Sequence, residues 1–130
     1  MRDIKSTLSY RWFQEVWNEG REDLIDELMT DQSLTHGITA GQAKGAEGFK
    51  AFYRDFKSQF HDIRVVVQDA LSQDNMECAL THVTATHTAT GKQVSFSGLC
   101  MSRFEKGKIA EGWNHYDFLS MHQQLGRVLA

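Results

Sequence analysis

The spacing of apolar side chains changes near residue 63, and no other feature of the sequence constrains the fold as strongly. Before that point apolar side chains recur every three or four residues, from Leu8 to Trp17 and from Phe49 to Phe60, which is typical of helices with one buried face. After it apolar and polar side chains alternate, which indicates strands. The predicted strands span residues 63–71, 76–88, 93–104 and 108–117, and a final helix spans residues 118–125.

Short turns join the four predicted strands, at residues 72–75, 89–92 and 105–107. The 130-residue sequence contains no proline, so its turns depend on glycine, asparagine and aspartate. Connections this short can only join antiparallel neighbours. Helices followed by an antiparallel meander predict an α+β fold with the helices packed on one face of the sheet. We expect residues 1–130 to form one domain.

Charge and hydropathy exclude several partners. The sequence has 14 Lys and Arg against 17 Asp and Glu, which argues against a broad basic surface for nucleic acid. Its longest aliphatic run, at residues 65–67, is far shorter than the roughly 20 apolar residues that span a bilayer. The first residues have no apolar core of a signal peptide. We therefore expect no nucleic-acid or membrane partner and a cytoplasmic location.

The last predicted hairpin determines which side chains share a face. We expect a three-residue loop at Glu105-Lys106-Gly107, because Lys-Gly lacks the Asn or Asp that a two-residue type I′ turn prefers. That register places eight large or ionisable side chains on one face: Leu99, Met101, Arg103, Ile109, Glu111, Trp113, His115 and Asp117. The other face carries mainly small side chains.

Ionisable groups among large apolar ones indicate the lining of a ligand cavity, where a few polar groups orient a ligand between apolar walls. The alternative is that the helices cover the other face, which would leave Leu99, Met101 and Trp113 exposed. With the cavity on the first face, the small side chains lie on the outer face of the sheet, through which we expect a homodimer. His82, on an apolar wall of the first hairpin, and Tyr53, in the aromatic helical stripe, are further candidates for ligand binding.

The spacing of histidines and cysteines does not indicate a metal site. His82 and His87 are five residues apart in a strand, so they point to opposite faces, and there is no Cys-x-x-Cys pair. We expect Cys78 and Cys100 to be free thiols, with a redox pair as the alternative. We expect neither a metal nor a cofactor.

Several segments resemble those of the SnoaL-like polyketide cyclases, of the nuclear transport factor 2-like superfamily. The matching segments are residues 17–20, 45–49, 60–65 and 104–117, followed by Gln124-Leu125-Gly126. The resemblance implies a cone in which a strongly curved antiparallel sheet wraps around N-terminal helices and encloses a pocket. It also implies that such domains commonly dimerise.

The resemblance further implies a chemistry. Family cyclases close a ring by intramolecular aldol condensation with an aspartate as acid/base, and that position falls on Asp117. The polar group that faces this aspartate falls on Arg103, where family cyclases often carry a neutral polar residue or histidine. The loop histidine or asparagine falls on His36, which the sequence places in a loop after the second helix.

These residues predict a cofactor-free enzyme for a small hydrophobic carbonyl compound. A carboxylate in an apolar cavity suits proton removal next to a carbonyl, because burial raises its pKa toward the working pH. Asp117 would act as acid/base, while His36, Arg103 and His115, with Trp113, contact the substrate. Asp117 can instead cap the final helix, Arg103 can form a structural ion pair, and His36 can face solvent. A non-catalytic binding protein, and an isomerase or hydrolase on the same fold, remain alternatives.

Overall fold

The computed structural model of the protein describes residues 3–38 and 43–127. A short 3-10 turn (Ile4–Ser6) leads into α1 (Leu8–Arg11), which continues as a π-helical segment (Trp12–Asn18), and the other helices are α2 (Asp23–Leu28), α3 (Gly45–Gln59) and α4 (Phe118–Gln124). The strands are β1 (Met29–His36), β2 (Ala43–Lys44), β3 (Phe60–Gln73), β4 (Met76–His87), β5 (Gln93–Glu105) and β6 (Lys108–Tyr116). No helix within the described ranges is long and apolar enough to cross a membrane.

The strands form one sheet in the order β2-β1-β6-β5-β4-β3. β3 to β6 make the predicted antiparallel meander, and the α+β fold is confirmed. The prediction of a loop at His36 is wrong, because β1 extends to that residue and pairs in parallel with β6, with His36 opposite Trp113. The sheet is therefore mixed rather than purely antiparallel.

Bulges bend the long strands around the helices. The register shifts between His61 and Arg64 and again between Val67 and Asp69, and such bulges increase the bend and twist of a strand. Asn18, at the end of the π-helical segment, accepts a hydrogen bond from the backbone N–H of Val65 (2.7 Å) and donates one to its carbonyl oxygen (2.8 Å). This side chain therefore fastens the N-terminal helical segment to the bent strand.

The last hairpin differs from the predicted one. Lys106 and Gly107 have φ of 52° and 77° and form a two-residue turn, with Glu105 opposite Lys108. The prediction of a three-residue loop is therefore wrong. Lys106 adopts a left-handed backbone conformation, which the two paired strands impose. A bulge beside Phe104 then turns Ile109 to the buried face and places Arg103 opposite Glu111, whereas the predicted register placed Arg103 opposite Ile109.

The helices pack on the small-residue face of the sheet, as in the alternative given above. The prediction that they cover the face of Leu99, Met101 and Trp113 is wrong. Phe96, Cys100 and Phe104 are buried, whereas Leu99 and Met101 on the opposite face are 53% and 38% exposed. The concave side of a strongly curved sheet has little room. Small strand residues leave space there for the aromatic side chains that the helices supply, such as Phe49 of α3 and Trp12.

Candidate functional site

A cavity of about 60 Å³ lies between the helices and the concave face of the sheet. A single water needs roughly 10–15 Å³ by such a measure, so the cavity has room for a small group of atoms. Nine of its fourteen lining residues are aromatic, including Trp12, Phe13, Phe49 and Phe96. Such a cavity favours flat, apolar ligands.

The π-helical segment supplies one wall of this cavity. Trp12, Phe13 and Trp17 all line it, and the backbone carbonyl oxygen of Val16 accepts a hydrogen bond from the Tyr53 hydroxyl at 2.7 Å. Tyr53 is 1% exposed and does not line the cavity. The structure therefore places Tyr53 in the core behind the cavity wall, and its contact with a ligand stays a prediction.

Asn114 is the amide side chain of the cavity lining. Its Nδ2 donates a hydrogen bond to the backbone carbonyl oxygen of His36 at 3.0 Å. Gly37 allows this close approach of β1 to β6, because it has φ of +87° and a Cβ there would lie 1.9 Å from the Asn114 carbonyl oxygen. The contact holds the amide in one place, and an amide has a second N–H and an oxygen for a ligand.

Tyr116 lines the cavity with its ring and buries its hydroxyl group. The ring covers Gly98, its partner on β5, and the hydroxyl is hydrogen-bonded to Thr81, which itself donates to the Gly98 carbonyl oxygen at 3.0 Å. Burial, with a smaller contribution from Cys100, raises the pKa of Tyr116 well above its usual range, and the Thr81 hydrogen bond opposes this only in part. Tyr116 is therefore a neutral phenol.

Asp117 is exposed and caps α4, since its carboxylate accepts the backbone N–H of Ser120 at 3.0 Å. The capping role that the sequence left as an alternative is thus present. In the chain Asp117 stands between Tyr116 and Phe118, which both line the cavity. Its acid/base role stays a prediction.

The structure brings His36, Arg103 and Trp113 together, but on the convex face of the sheet. His36 Nε2 lies 2.7 Å from Glu111 Oε2, and the imidazole stacks on Trp113 with ring centres 5.7 Å apart. Arg103 contacts Glu111 at 3.7 Å and Glu105 at 2.8 Å. The prediction that these side chains line the cavity is wrong, and the alternative of a structural ion pair at Arg103 describes its contacts.

The remaining candidates also lie on the convex face. Met101 and His115 are exposed, and His82 is half-buried with Nδ1 3.5 Å from the Ser97 hydroxyl, so none of the three lines the cavity. Among the described residues no three His, Cys, Asp or Glu side chains are grouped closely enough to hold a metal ion. Asn114 was missed because its strand face was assigned to the outside of the sheet.

The family model of the SnoaL-like polyketide cyclases matches residues 7–125, and the chain belongs to this family. The computed structure resembles IdmH, a proposed polyketide cyclase from Streptomyces antibioticus, with 25% identity, TM-score 0.83, and 96% of this chain and 100% of that chain covered. It also resembles a proposed polyketide cyclase from Bacillus cereus, with 28% identity, TM-score 0.83, and coverage of 94% and 80%.

A third similar structure is AclR, a proposed hydroxylase from Streptomyces galilaeus, with 20% identity, TM-score 0.80, and coverage of 94% and 95%. That likeness shows the fold alone. No curated protein matches the sequence significantly. The fold is therefore the nuclear transport factor 2-like cone, which hosts more than one chemistry.

Proposed function

We propose that the protein is a cofactor-free enzyme that binds a small hydrophobic carbonyl compound in the aromatic cavity and acts on it by acid/base proton transfer. The observation that carries this proposal is an apolar cavity with one fixed amide, Asn114. An amide N–H directed at a carbonyl oxygen polarises it and stabilises the enolate that forms on proton removal. Membership of the SnoaL-like family and the likeness to IdmH support the same chemistry.

Asp117 is the acid/base group in this proposal. It lies beside two cavity-lining residues, Tyr116 and Phe118, and its side chain is exposed and free to rotate away from Ser120. Leaving the cap costs about 1 kcal/mol, which substrate binding can offset. The carboxylate then removes a proton next to the substrate carbonyl and later returns a proton to the oxyanion.

Asp117→Asn separates this chemistry from capping, because asparagine caps helices as well as aspartate does. We expect the wild-type protein to catalyse exchange of the α-protons of 2-tetralone for deuterium, followed by proton NMR in D₂O. Loss of an acid/base group lowers such rates by about 100-fold, so the variant should exchange at that lower rate while melting at the wild-type temperature. Exchange at the wild-type rate in the variant would refute the role of Asp117.

A second candidate is a binding protein without catalysis. It is favoured because none of the fourteen described residues that line the cavity has a charged side chain. In that case 2-tetralone quenches tryptophan fluorescence, since Trp12 and Trp17 line the cavity, but its exchange does not exceed that of buffer. Asp117→Asn would then leave the affinity unchanged.

We further propose that two copies form a homodimer through the outer, convex face of the sheet, which carries large side chains instead of the small ones predicted for it. Leu71, Cys78, Met101 and Trp113 lie side by side across four strands, and Leu71 and Met101 are 55% and 38% exposed. Apolar side chains that lie next to one another at a surface often mark a protein–protein interface. The Arg103 and glutamate side chains at its edge carry both charge signs, so a second copy of the same face is complementary to it.

Met101→Glu places a charge in the middle of this apolar row. We expect the wild-type protein to sediment at twice its 14.8 kDa chain mass and the variant to sediment as a monomer, because the new carboxylate would be buried without a partner. Thr84→Glu, on the same face but in its polar part, is the matched control and should remain dimeric. A wild-type protein that stays monomeric at the highest concentration reached would contradict the proposal.

A further inference from the structure

A second cavity, of about 40 Å³, adjoins the first on the concave side of the sheet. Trp12, Phe13, Phe49 and Asn114 line both cavities. A ligand that spans both cavities therefore has to displace one of these three aromatic side chains, while Asn114 stays in place. Asn114 stands at the junction.

The two cavities differ in chemistry. The first is mainly aromatic, whereas the second is also lined by the hydroxyl-bearing Ser9, Thr35 and Ser102 and by the thiol of Cys100. The Ser9 hydroxyl donates its hydrogen to a Glu77 carboxylate oxygen at 2.6 Å, which leaves its oxygen as an acceptor for a donor on a ligand. The second cavity is therefore suited to hydroxyl or carbonyl groups.

Neither cavity is suited to a charged ligand. Among the described residues that line either cavity, none is Lys, Arg, His, Asp or Glu. Burial raises the pKa of the Cys100 thiol to about 12, so it too is neutral at physiological pH. An ionised ligand group placed there would lose its hydration without gaining a partner.

We propose that the two cavities are subsites of one elongated site, and that its ligand is an uncharged molecule with an aromatic part in the first cavity and a hydroxyl- or carbonyl-bearing end in the second. Asn114 then lies beside the middle of the ligand, where it can bond an internal carbonyl. This inference rests on the proposed function for the location of the site. It concerns binding, and it holds whether or not proton transfer follows.

Gly112 offers a way to close the second cavity alone. It lines that cavity and not the first, and a Cβ built on it would meet no atom closer than Asn114 Nδ2 at 3.9 Å. The Cβ of a valine therefore meets no clash at this strand position, and we expect its methyl groups to fill part of the second cavity. Ile63→Phe is the counterpart for the first cavity, which Ile63 lines without reaching the second.

The test measures the affinity of two probes, acetophenone and 4-hydroxychalcone, by isothermal titration calorimetry. Acetophenone, with a single aromatic ring, is the probe for the first cavity alone, while 4-hydroxychalcone is long enough to reach both. We expect Gly112→Val to weaken binding of 4-hydroxychalcone at least tenfold and of acetophenone less than twofold, and Ile63→Phe to weaken both. In the wild-type protein, 4-hydroxychalcone should bind more tightly than unsubstituted chalcone.

Three results would overturn the proposal. In Gly112→Val, the affinity for both probes could fall equally, or the affinity for neither could fall. In the wild-type protein, 4-hydroxychalcone could fail to bind. Circular dichroism and melting temperature establish that the variant is folded. If valine prevents folding, Gly112→Ala replaces it, with an expected threefold loss for 4-hydroxychalcone alone. Exchange of 2-tetralone in Gly112→Val tests the chemistry separately, because this small ketone needs only the first cavity.

Discussion

Gly98→Ala is expected to lower the free energy of unfolding by about 3 kcal/mol, the upper range for forcing a methyl group into a packed interior. A Cβ at this position would lie 2.1 Å from Cδ1 of Tyr116 and 2.3 Å from Cε1, far inside van der Waals contact. Tyr116 has little freedom to move away. Its ring packs against Phe96 and Phe118, with ring centres 6.3 and 5.7 Å apart, and its hydroxyl is bonded to Thr81.

The matched control is Gly112→Ala, another strand glycine on the same concave face, whose new Cβ would make an ordinary contact with Asn114 Nδ2 at 3.9 Å. Urea unfolding followed by tryptophan fluorescence should separate the two variants clearly. Gly98→Ala should also weaken acetophenone binding, because a displaced Tyr116 ring enters the first cavity. Equal stability of the two variants would show that the Tyr116 ring does not cover Gly98.

Glu77→Ala is expected to cost a similar amount, about 3 kcal/mol, because charge-assisted hydrogen bonds are lost and their donors are left buried. The Glu77 carboxylate accepts the backbone N–H of Leu8 (3.2 Å), the backbone N–H of Ser9 (2.8 Å) and the Ser9 hydroxyl (2.6 Å). Ser9 is 5% exposed, so water replaces these bonds poorly. The carboxylate also lies at the helix N-terminus, where negative charge is favourable.

Glu77→Gln, which keeps one acceptor oxygen, should fall between the alanine variant and the wild type in thermal and urea unfolding. Glu47→Ala is the control, since Glu47 is exposed in the first turn of α3 and its carboxylate accepts a hydrogen bond from Lys50 at the surface. Its removal should lower the free energy of unfolding by less than about 1 kcal/mol. A Glu77→Ala protein as stable as the Glu47→Ala protein would mean that the N-terminal helix does not depend on this carboxylate.

The meander of β3 to β6 was predictable because alternation and short turns are local properties of the sequence. The pairing of β1 was not predictable, because β1 pairs in parallel with β6, more than 70 residues away in the chain. No local turn in the sequence indicates such a pairing. The two-residue turn was missed because Lys106 is a poor residue for positive φ, and only the paired strands on either side hold it there.

The candidate site was predicted in part. The aromatic stripe of α3 does supply cavity walls through Phe49, Phe52 and Phe56, because helical spacing alone puts them on one face. The sheet residues were assigned to the wrong side. Large side chains normally mark a buried face. Here the helices supply the large side chains, so the concave face of the strands carries small residues such as Gly98 and Gly112, which leave room for them.

The π-helical segment Trp12–Asn18 affects whether a residue can be inserted or deleted at this point of the chain. Its i→i+5 bonding, as from the Glu19 N–H to the Gln14 carbonyl oxygen at 2.9 Å, brings Trp12 and Trp17 to one face. In an α-helix residues five apart are about 140° apart around the axis, while residues four apart nearly coincide. A chain one residue shorter in this segment could therefore keep both tryptophans on the cavity as an ordinary α-helix. Insertions and deletions at this point would then leave the aromatic wall intact and instead change the angle at which Asn18 meets β3.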